Sequence, residues 1–268
     1  MLMGASNWMF QTDLPDDIFS NSLRFEDGDN ASLSKTLGTP TDPEKFTIAF
    51  WMKRGNLGID GTIIDSGASG SNYGLIYMSS TNHLIANFVS GGSNTLVLKP
   101  SMQFRDTANW YHVMFIYDSS QATDTNRAYF IINGTRITSY ASAIYPSQDT
   151  DSPHWNTATP HHIGNGAVSG VEDWDGYLAD FYHIDGQALD ETSFGRNVNG
   201  VFIPKNTSGL TFGNNGFKLE FKQTGTGTAS ASTIGADTSG NTHHFTSANL
   251  VASDVITDTP ENNFCTWN

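Results

Sequence analysis

An all-β sandwich is the fold class that this sequence predicts, on three observations. Short apolar segments with period-two or continuous patterning recur along the chain, and no stretch sustains helical periodicity. The 26 glycines, with abundant Ser, Thr and Asn, supply turns between those segments. A chain of 268 residues is long enough for one large all-β core.

The elements follow in order. Ser22–Phe25 opens as a strand and runs into an acidic turn over residues 26–30. Lys45–Arg54, KFTIAFWMKR, sets Phe46, Ile48, Phe50 and Met52 on one face and Thr47, Ala49 and Trp51 on the other, as a central strand does. Further strands are expected at 62–65, 73–78, 83–89 and 95–98, each bounded by Gly, Ser or Asn. Residues 109–118, NWYHVMFIYD, are almost continuously bulky, which fits a strand covered on both faces. Residues 127–132 and 136–140 flank Asn133-Gly134, a strong hairpin signal. The polar, Pro-containing stretch 150–162 reads as a long loop with a function of its own, leading to a strand at 162–164.

Residues 172–195, EDWDGYLADFYHIDGQALDETSFG, place Tyr177, Ala179 and Phe181 on one strand face and Leu178, Asp180 and Tyr182 on the other. Asp175-Gly176 and Asp185-Gly186 bound that strand, since glycine adopts turn torsions at low cost. Bulk on both faces predicts cover from a second sheet on one side and from a loop or neighbouring subunit on the other. Residues 187–194 suggest one helical turn with Asp190 as its cap. Beyond Arg196 only residues 217–221 read clearly as a strand, and the apolar mass is too small for a separate core. The expected division is a docking arm at 1–20, a sandwich at 21–196, and an extension at 197–268 that packs on the sandwich or on a neighbouring subunit.

The formal charge of −14, from 27 acidic and 13 basic residues, opposes broad contact with nucleic acid or with anionic membranes. Cys265 is the only cysteine, so intrachain disulfides and thiolate metal clusters are ruled out. Between Phe264 and Trp267 it reads as a small buried apolar residue. The start, MLMGASNWMF, has neither a basic n-region nor a long apolar run, so the expectation is a soluble protein made inside a cell, without membrane insertion.

No catalytic residue is assigned. There is no G-x-S-x-G elbow, and Cys265 has no recognisable basic partner. His161-His162 and His243-His244 can each direct only one imidazole inward from a strand, which favours polar strand or turn roles over zinc. Sugar recognition combines an aromatic platform with directed polar groups. Trp155 with His154 and Asn156, and Trp174 beside Asp173, are the loop candidates, weighed against structural or subunit-contact roles. Trp51 and Trp110 read as core.

The ordered segments SLRF, FTIAFWMKRG, NWYHVMFIYD, RAYFIINGTRIT, HHIGN and DGYLADFYHIDGQALDETSFG resemble concanavalin-A-like, laminin-G-like jelly-roll domains. KRGNLG at 53–58, YPSQ at 145–148, IDGQALDETSFG at 184–195, NGFKLEF at 215–221, DTSGNTHHFT at 237–246 and TDTPENNF at 257–264 are similar to structural proteins of marine bacteriophages, tail fibres included. The resemblance implies a concanavalin-A-like/laminin-G-like jelly-roll sandwich with a C-terminal β-rich extension. It requires no cofactor and suggests calcium, with Asp65, Asp173 and Asp175 as candidates at strand ends, against the alternative of turn-forming aspartates. A related fold houses bacterial β-glucanases with an E-x-D-x-x-E strand, which this chain does not match. The expected protein is a non-enzymatic virion component made in the host cytoplasm, of tail-fibre or adhesin type, which displays its sandwich to a host-surface glycan. Its partners would be other virion proteins and copies of itself, for instance a trimer. A capsid decoration, collar or tail accessory is the alternative, and a polysaccharide-active enzyme a minor one.

Overall fold

The computed structural model describes residues 19–263. The reading of Cys265 and most of the 1–20 arm lie outside the described residues. Two antiparallel eight-stranded sheets face each other in an all-β jelly-roll sandwich. The first runs Thr135–Arg136, Ala128–Ile132, Tyr111–Asp118, Lys45–Arg54, Gly176–Asp185, Ser22–Phe25, Val255–Ile256, with Phe217–Leu219 also paired to Gly176–Asp185. The second runs Tyr140–Ile144, Ser93–Pro100, Leu84–Ser90, Asn72–Met78, Gly61–Ser69, Pro160–Ile163, Ser32–Thr36, Thr246–Ala248. A separate hairpin joins Gly195–Val198 to Val201–Pro204.

The core follows from strand alternation. Phe46, Ile48, Phe50 and Met52 point inward with Val113, Phe115 and Tyr117, and meet Ile76, Met78, Leu84, Phe88, Leu96 and Leu98 of the facing sheet. The outward faces of the two sheets have different fates. On the first sheet, Met114, Ile116, Tyr182 and Ile184 are covered by Phe194, Leu210 and Phe212, while Trp51 and Trp110 pack with Phe202 and Phe19. Cover over Gly176–Asp185 therefore comes from the segment that directly follows it in sequence. Described residues after 196 add Phe217–Leu219, Thr246–Ala248 and Val255–Ile256 to the two sheets.

Three local expectations change. The alternation along Gly176–Asp185 breaks at Asp180, whose φ of 43° is left-handed, where the register to Lys45–Arg54 shifts. This bulge inserts an extra residue, so Phe181 joins Leu178 in the inner core while Tyr182 turns to the outer layer. The return strand after Asn133-Gly134 is only Thr135–Arg136; the chain then crosses over, and Tyr140–Ile144 becomes the edge of the second sheet. Asp190 precedes the short 3-10 turn Glu191–Ser193, but its carboxylate accepts the hydroxyls of Thr192 and Ser193 and caps no backbone amide.

Candidate functional site

A cleft of about 360 Å³ opens at the rim of the sandwich. Leu84–Ser90 gives it Phe88 and Ser90, Ser93–Pro100 gives Thr95, and the segment after Tyr140–Ile144 gives Tyr145, Ser147 and Thr150. Its lining is aromatic and aliphatic with several hydroxyls and no charged residue, the make-up of a small-ligand site.

The loop before Pro160–Ile163 holds this cleft in place. Trp155 is fully buried, and its indole N–H donates to the Gly74 carbonyl at 2.9 Å. Phe88 and Phe115 meet it edge-on, with ring centroids 5.2 and 5.5 Å away. Gly74 is required for that approach, because a Cβ there would lie 2.9 Å from the indole nitrogen. The His154 carbonyl accepts hydroxyls from Ser66, Thr157 and Thr159 at 2.7, 3.0 and 2.9 Å, and its Nε2 donates to Val89 O at 2.6 Å. Burial lowers the His154 pKa against the pull of the Val89 hydrogen bond, which favours the neutral ring.

Asn156 adopts a left-handed φ of 58° and donates to Asp42 O and Asp185 Oδ1 at 2.9 and 2.7 Å. Burial alone would raise the pKa of Asp185, but donation from the Asn215 and Thr41 amides outweighs it and holds the carboxyl below its usual range. The cleft's far wall is fixed by Tyr117, whose hydroxyl donates to Thr150 O at 2.9 Å. In contrast, the hydroxyls of Tyr145 and Ser147 make no hydrogen bond among the described residues, and Tyr145 is half-buried. An aromatic face with uncommitted hydroxyls is what a sugar ring requires.

The aromatic platform expected at Trp155 is therefore internal. Trp155, His154 and Asn156 come together as the frame behind the cleft: the Trp155 indole N–H and His154 Nε2 donate to backbone carbonyls and the Asn156 amide N–H groups to Asp42 O and Asp185, while Asn156 Oδ1 is buried without a hydrogen-bond partner among the described residues. Trp174 is also buried, packed over Gly61, with its indole nitrogen inside the protein. Tyr145, Ser147 and Thr150 were not singled out in the sequence. The usable signal is Tyr145-Pro146 directly after the short strand Tyr140–Ile144, inside the YPSQ segment.

The three carboxylates suggested for calcium do not converge. Asp65 is fully buried on Gly61–Ser69, and its Oδ2 accepts the Val168 amide, the Ser169 amide and the Ser169 hydroxyl, so it fastens a loop. Asp175 accepts a short hydrogen bond from Asn56 and is pushed up to about 6, first by burial and then by Asp27 and Glu26. Asp173 bridges to Thr62 through its backbone. Calcium takes six to eight oxygen ligands, and among the described residues no three His, Cys, Asp or Glu side chains group as a metal site. The residues present do not fit one shared calcium ion. His161 and His162 diverge as adjacent strand residues must, the first buried inward and the second opposite Asp65.

Comparison with known proteins adds a family. The model of the concanavalin A-like lectin/glucanases superfamily matches residues 25–193. A proposed carbohydrate binding protein from Bacteroides ovatus is similar in structure, with a TM-score of 0.55 at 16% identity over 85% of this chain and 57% of its own. A heptameric SAP-like pentraxin from Limulus polyphemus gives a TM-score of 0.46 at 18% identity over 65% of this chain and 80% of its own. Domains LG4-5 of the mouse laminin alpha1 chain give 0.44 at 13% identity, over 63% of this chain and 43% of theirs. A sequence comparison with curated proteins finds no match.

Proposed function

Because the chain belongs to the concanavalin A-like lectin/glucanases superfamily, with a match over residues 25–193, we propose that it is a carbohydrate-binding protein whose site is the Tyr145 cleft. The observation that carries this reading is the cleft's chemistry: the Tyr145 ring beside uncommitted hydroxyls, on a frame locked by Trp155. No carboxylate lines the cleft, so it offers binding without the paired acid and base that glycoside hydrolysis needs. The six ordered segments support a place for the protein on a bacteriophage particle, as a homo-oligomeric adhesin whose weak sugar contacts add through avidity.

The test is titration of host-envelope oligosaccharides into the wild type and Tyr145→Ala, with thermal denaturation as the check on folding. Binding should weaken about tenfold in the variant, since a stacked aromatic contact contributes about 0.5–1.5 kcal/mol beyond the apolar area it buries and about 1.4 kcal/mol is tenfold. Undiminished binding by Tyr145→Ala would overturn the assignment of the cleft. Gold-labelled antibody on intact particles tests the placement, and label confined to the capsid would remove the adhesin role.

A second reading, a structural accessory of the particle, is favoured by an apolar groove of about 320 Å³ lined by Trp51, Val201, Phe202, Pro204 and Pro260. Val201 is 62% exposed at the edge of this groove.

A further inference from the structure

Lys53 opens the segment KRGNLG, and Asp258 and Asn263 belong to TDTPENNF; the fold brings these three side chains together. Met52 points into the inner core, so Lys53, the next residue on Lys45–Arg54, stands on the outward face of the first sheet. Val255–Ile256 pairs with Ser22–Phe25, and the Ser22 hydroxyl donates to Asp258 O at 2.6 Å, which leads the chain across that face. Thr259 and Asn262 then pair across a tight turn through Pro260-Glu261, where proline suits the first central position. Asp258 and Asn263, the residues on either side of that pair, therefore lie opposite each other.

Both side chains reach one amine. Lys53 Nζ donates to Asp258 Oδ2 at 2.7 Å and to Asn263 Oδ1 at 2.9 Å. The Trp110 indole donates to Asp258 Oδ1 at 3.1 Å, and Asn263 Nδ2 donates to Ala108 O at 2.9 Å, so both acceptors are held with one oxygen toward the lysine. The Lys53 and Asp258 side chains are 2% and 5% exposed, the most deeply buried ion pair among the described residues. Arg24, Lys45, Lys218 and Lys222 pair with carboxylates where more water reaches them. Holding two charges out of water is costly, and a proton passed from Nζ to Oδ2 leaves two neutral groups. A hydrogen bond of this length to Oδ1 places the amide carbon about 3–4 Å from Nζ, at the threshold of attack.

We propose that Lys53 and Asn263 join in an intramolecular isopeptide bond, with Asp258 as the catalytic base and acid. Asp258 Oδ2 takes a proton from the Lys53 ammonium, and the lone pair this uncovers adds to Asn263 Cγ. As the tetrahedral centre collapses, the Cγ–Nδ2 bond breaks and Asp258 gives the proton to the departing nitrogen. A second Nζ proton follows the same path, so ammonium leaves, Nζ keeps one hydrogen as an amide, and Asp258 is again a carboxylate. Neither an oxidant nor a cofactor enters. Asn263 is exposed, which gives the leaving nitrogen a route to solvent. The bond spans 210 positions of sequence and fastens the segment after Val255–Ile256 to a central strand of the first sheet. Closure of so long a loop restricts the unfolded chain as a disulfide does. This site is independent of the carbohydrate reading of the Tyr145 cleft.

The experiment is mass spectrometry of the full chain, folded at neutral pH and then denatured. The wild type should weigh less than its sequence by one ammonia, about 17 Da. Trypsin should fail to cut after Lys53, and the digest should contain a branched peptide that joins Lys53 to Asn263. Asn263→Ala should show its full sequence mass and a linear Lys53 peptide. Asp258→Asn and Asp258→Ala are each checked for cooperative melting, and the folded variants should also keep their full mass. A wild type at its full sequence mass overturns the bond, and so does loss of ammonia without a branched peptide, which marks a succinimide at an asparagine instead. A branched peptide formed as completely in a folded Asp258 variant as in wild type overturns the catalytic role of that carboxylate.

Discussion

His161 and His183 meet across the sandwich interior with ring centroids 6.3 Å apart, and the Nε2 of each is buried without a hydrogen-bond partner among the described residues. Burial, with His183 nearby, brings His161 down to about 3, and burial brings His183 to about 4 despite Asp185. Unfolded histidine titrates near 6.5. A depressed folded pKa gives stability that is present above pH 6.5 and is lost as pH falls toward 4 and 3.

Asp180 has the opposite sign. Burial raises it to about 7 against the pull of Lys218, so its contribution is full below the ordinary 3.8 and is lost as pH rises through 7. Asp175, at about 6, acts in the same sense as Asp180. The two effects separate in variants: between pH 6.5 and 4.5 the urea midpoint should fall more steeply in Asp180→Asn than in wild type, and less steeply in His161→Gln. Parallel pH profiles for all three proteins would refute this account.

Trp155→Ala should act on stability before it acts on binding. It removes a fully buried ring and the 2.9 Å bond to Gly74, at a cost of about 3–5 kcal/mol. Denaturant titration measures the loss. A variant that stays near wild-type stability yet no longer binds sugar would return Trp155 to the role of a ligand platform.

Lys53 and Asp258 form a buried ion pair at 2.7 Å, and the Trp110 indole donates to the same carboxylate at 3.1 Å. Lys53→Met leaves that carboxylate buried without its cation, and should cost about 3–5 kcal/mol. Adding Asp258→Asn should restore part of the loss. The double-mutant cycle reads the coupling directly, and additive effects would show that the pair carries none.

Gly134→Ala should destabilise by more than about 1 kcal/mol, on two counts. The residue has a left-handed φ of 72°, and a Cβ there would lie 2.4 Å from the Phe202 ring. Phe202→Leu in the same background should recover the steric part. Were Phe202→Leu to recover nothing, backbone strain alone would account for the cost.

Much of the fold is written locally. Lys45–Arg54 carries its alternation openly, and Asn133 and Gly134, with φ of 47° and 72°, form the tight hairpin that their residue types require. The same signal at Asn199-Gly200, with φ of 53° and 87°, marks the hairpin between Gly195–Val198 and Val201–Pro204, which the composition of that region obscured. Ser32–Thr36 and Thr246–Ala248 escaped notice because each has little apolar content, and partner strands rather than their own side chains make them strands.

The sequence by itself determined the alternating strands, the turns between them and the sandwich that such strands must form to bury their apolar faces. Only the tertiary structure decided which loop side chains face water. Trp155 reads locally as an exposed tryptophan in a polar loop, yet its partner is the carbonyl of a glycine 81 residues away. Gly74 lacks the Cβ that would bar the indole, so Trp155 turns inward. The cleft's aromatic surface falls instead to Tyr145, at the end of the edge strand. Burial in a loop depends on what distant strands bring beside it, and that pairing has no local pattern to read.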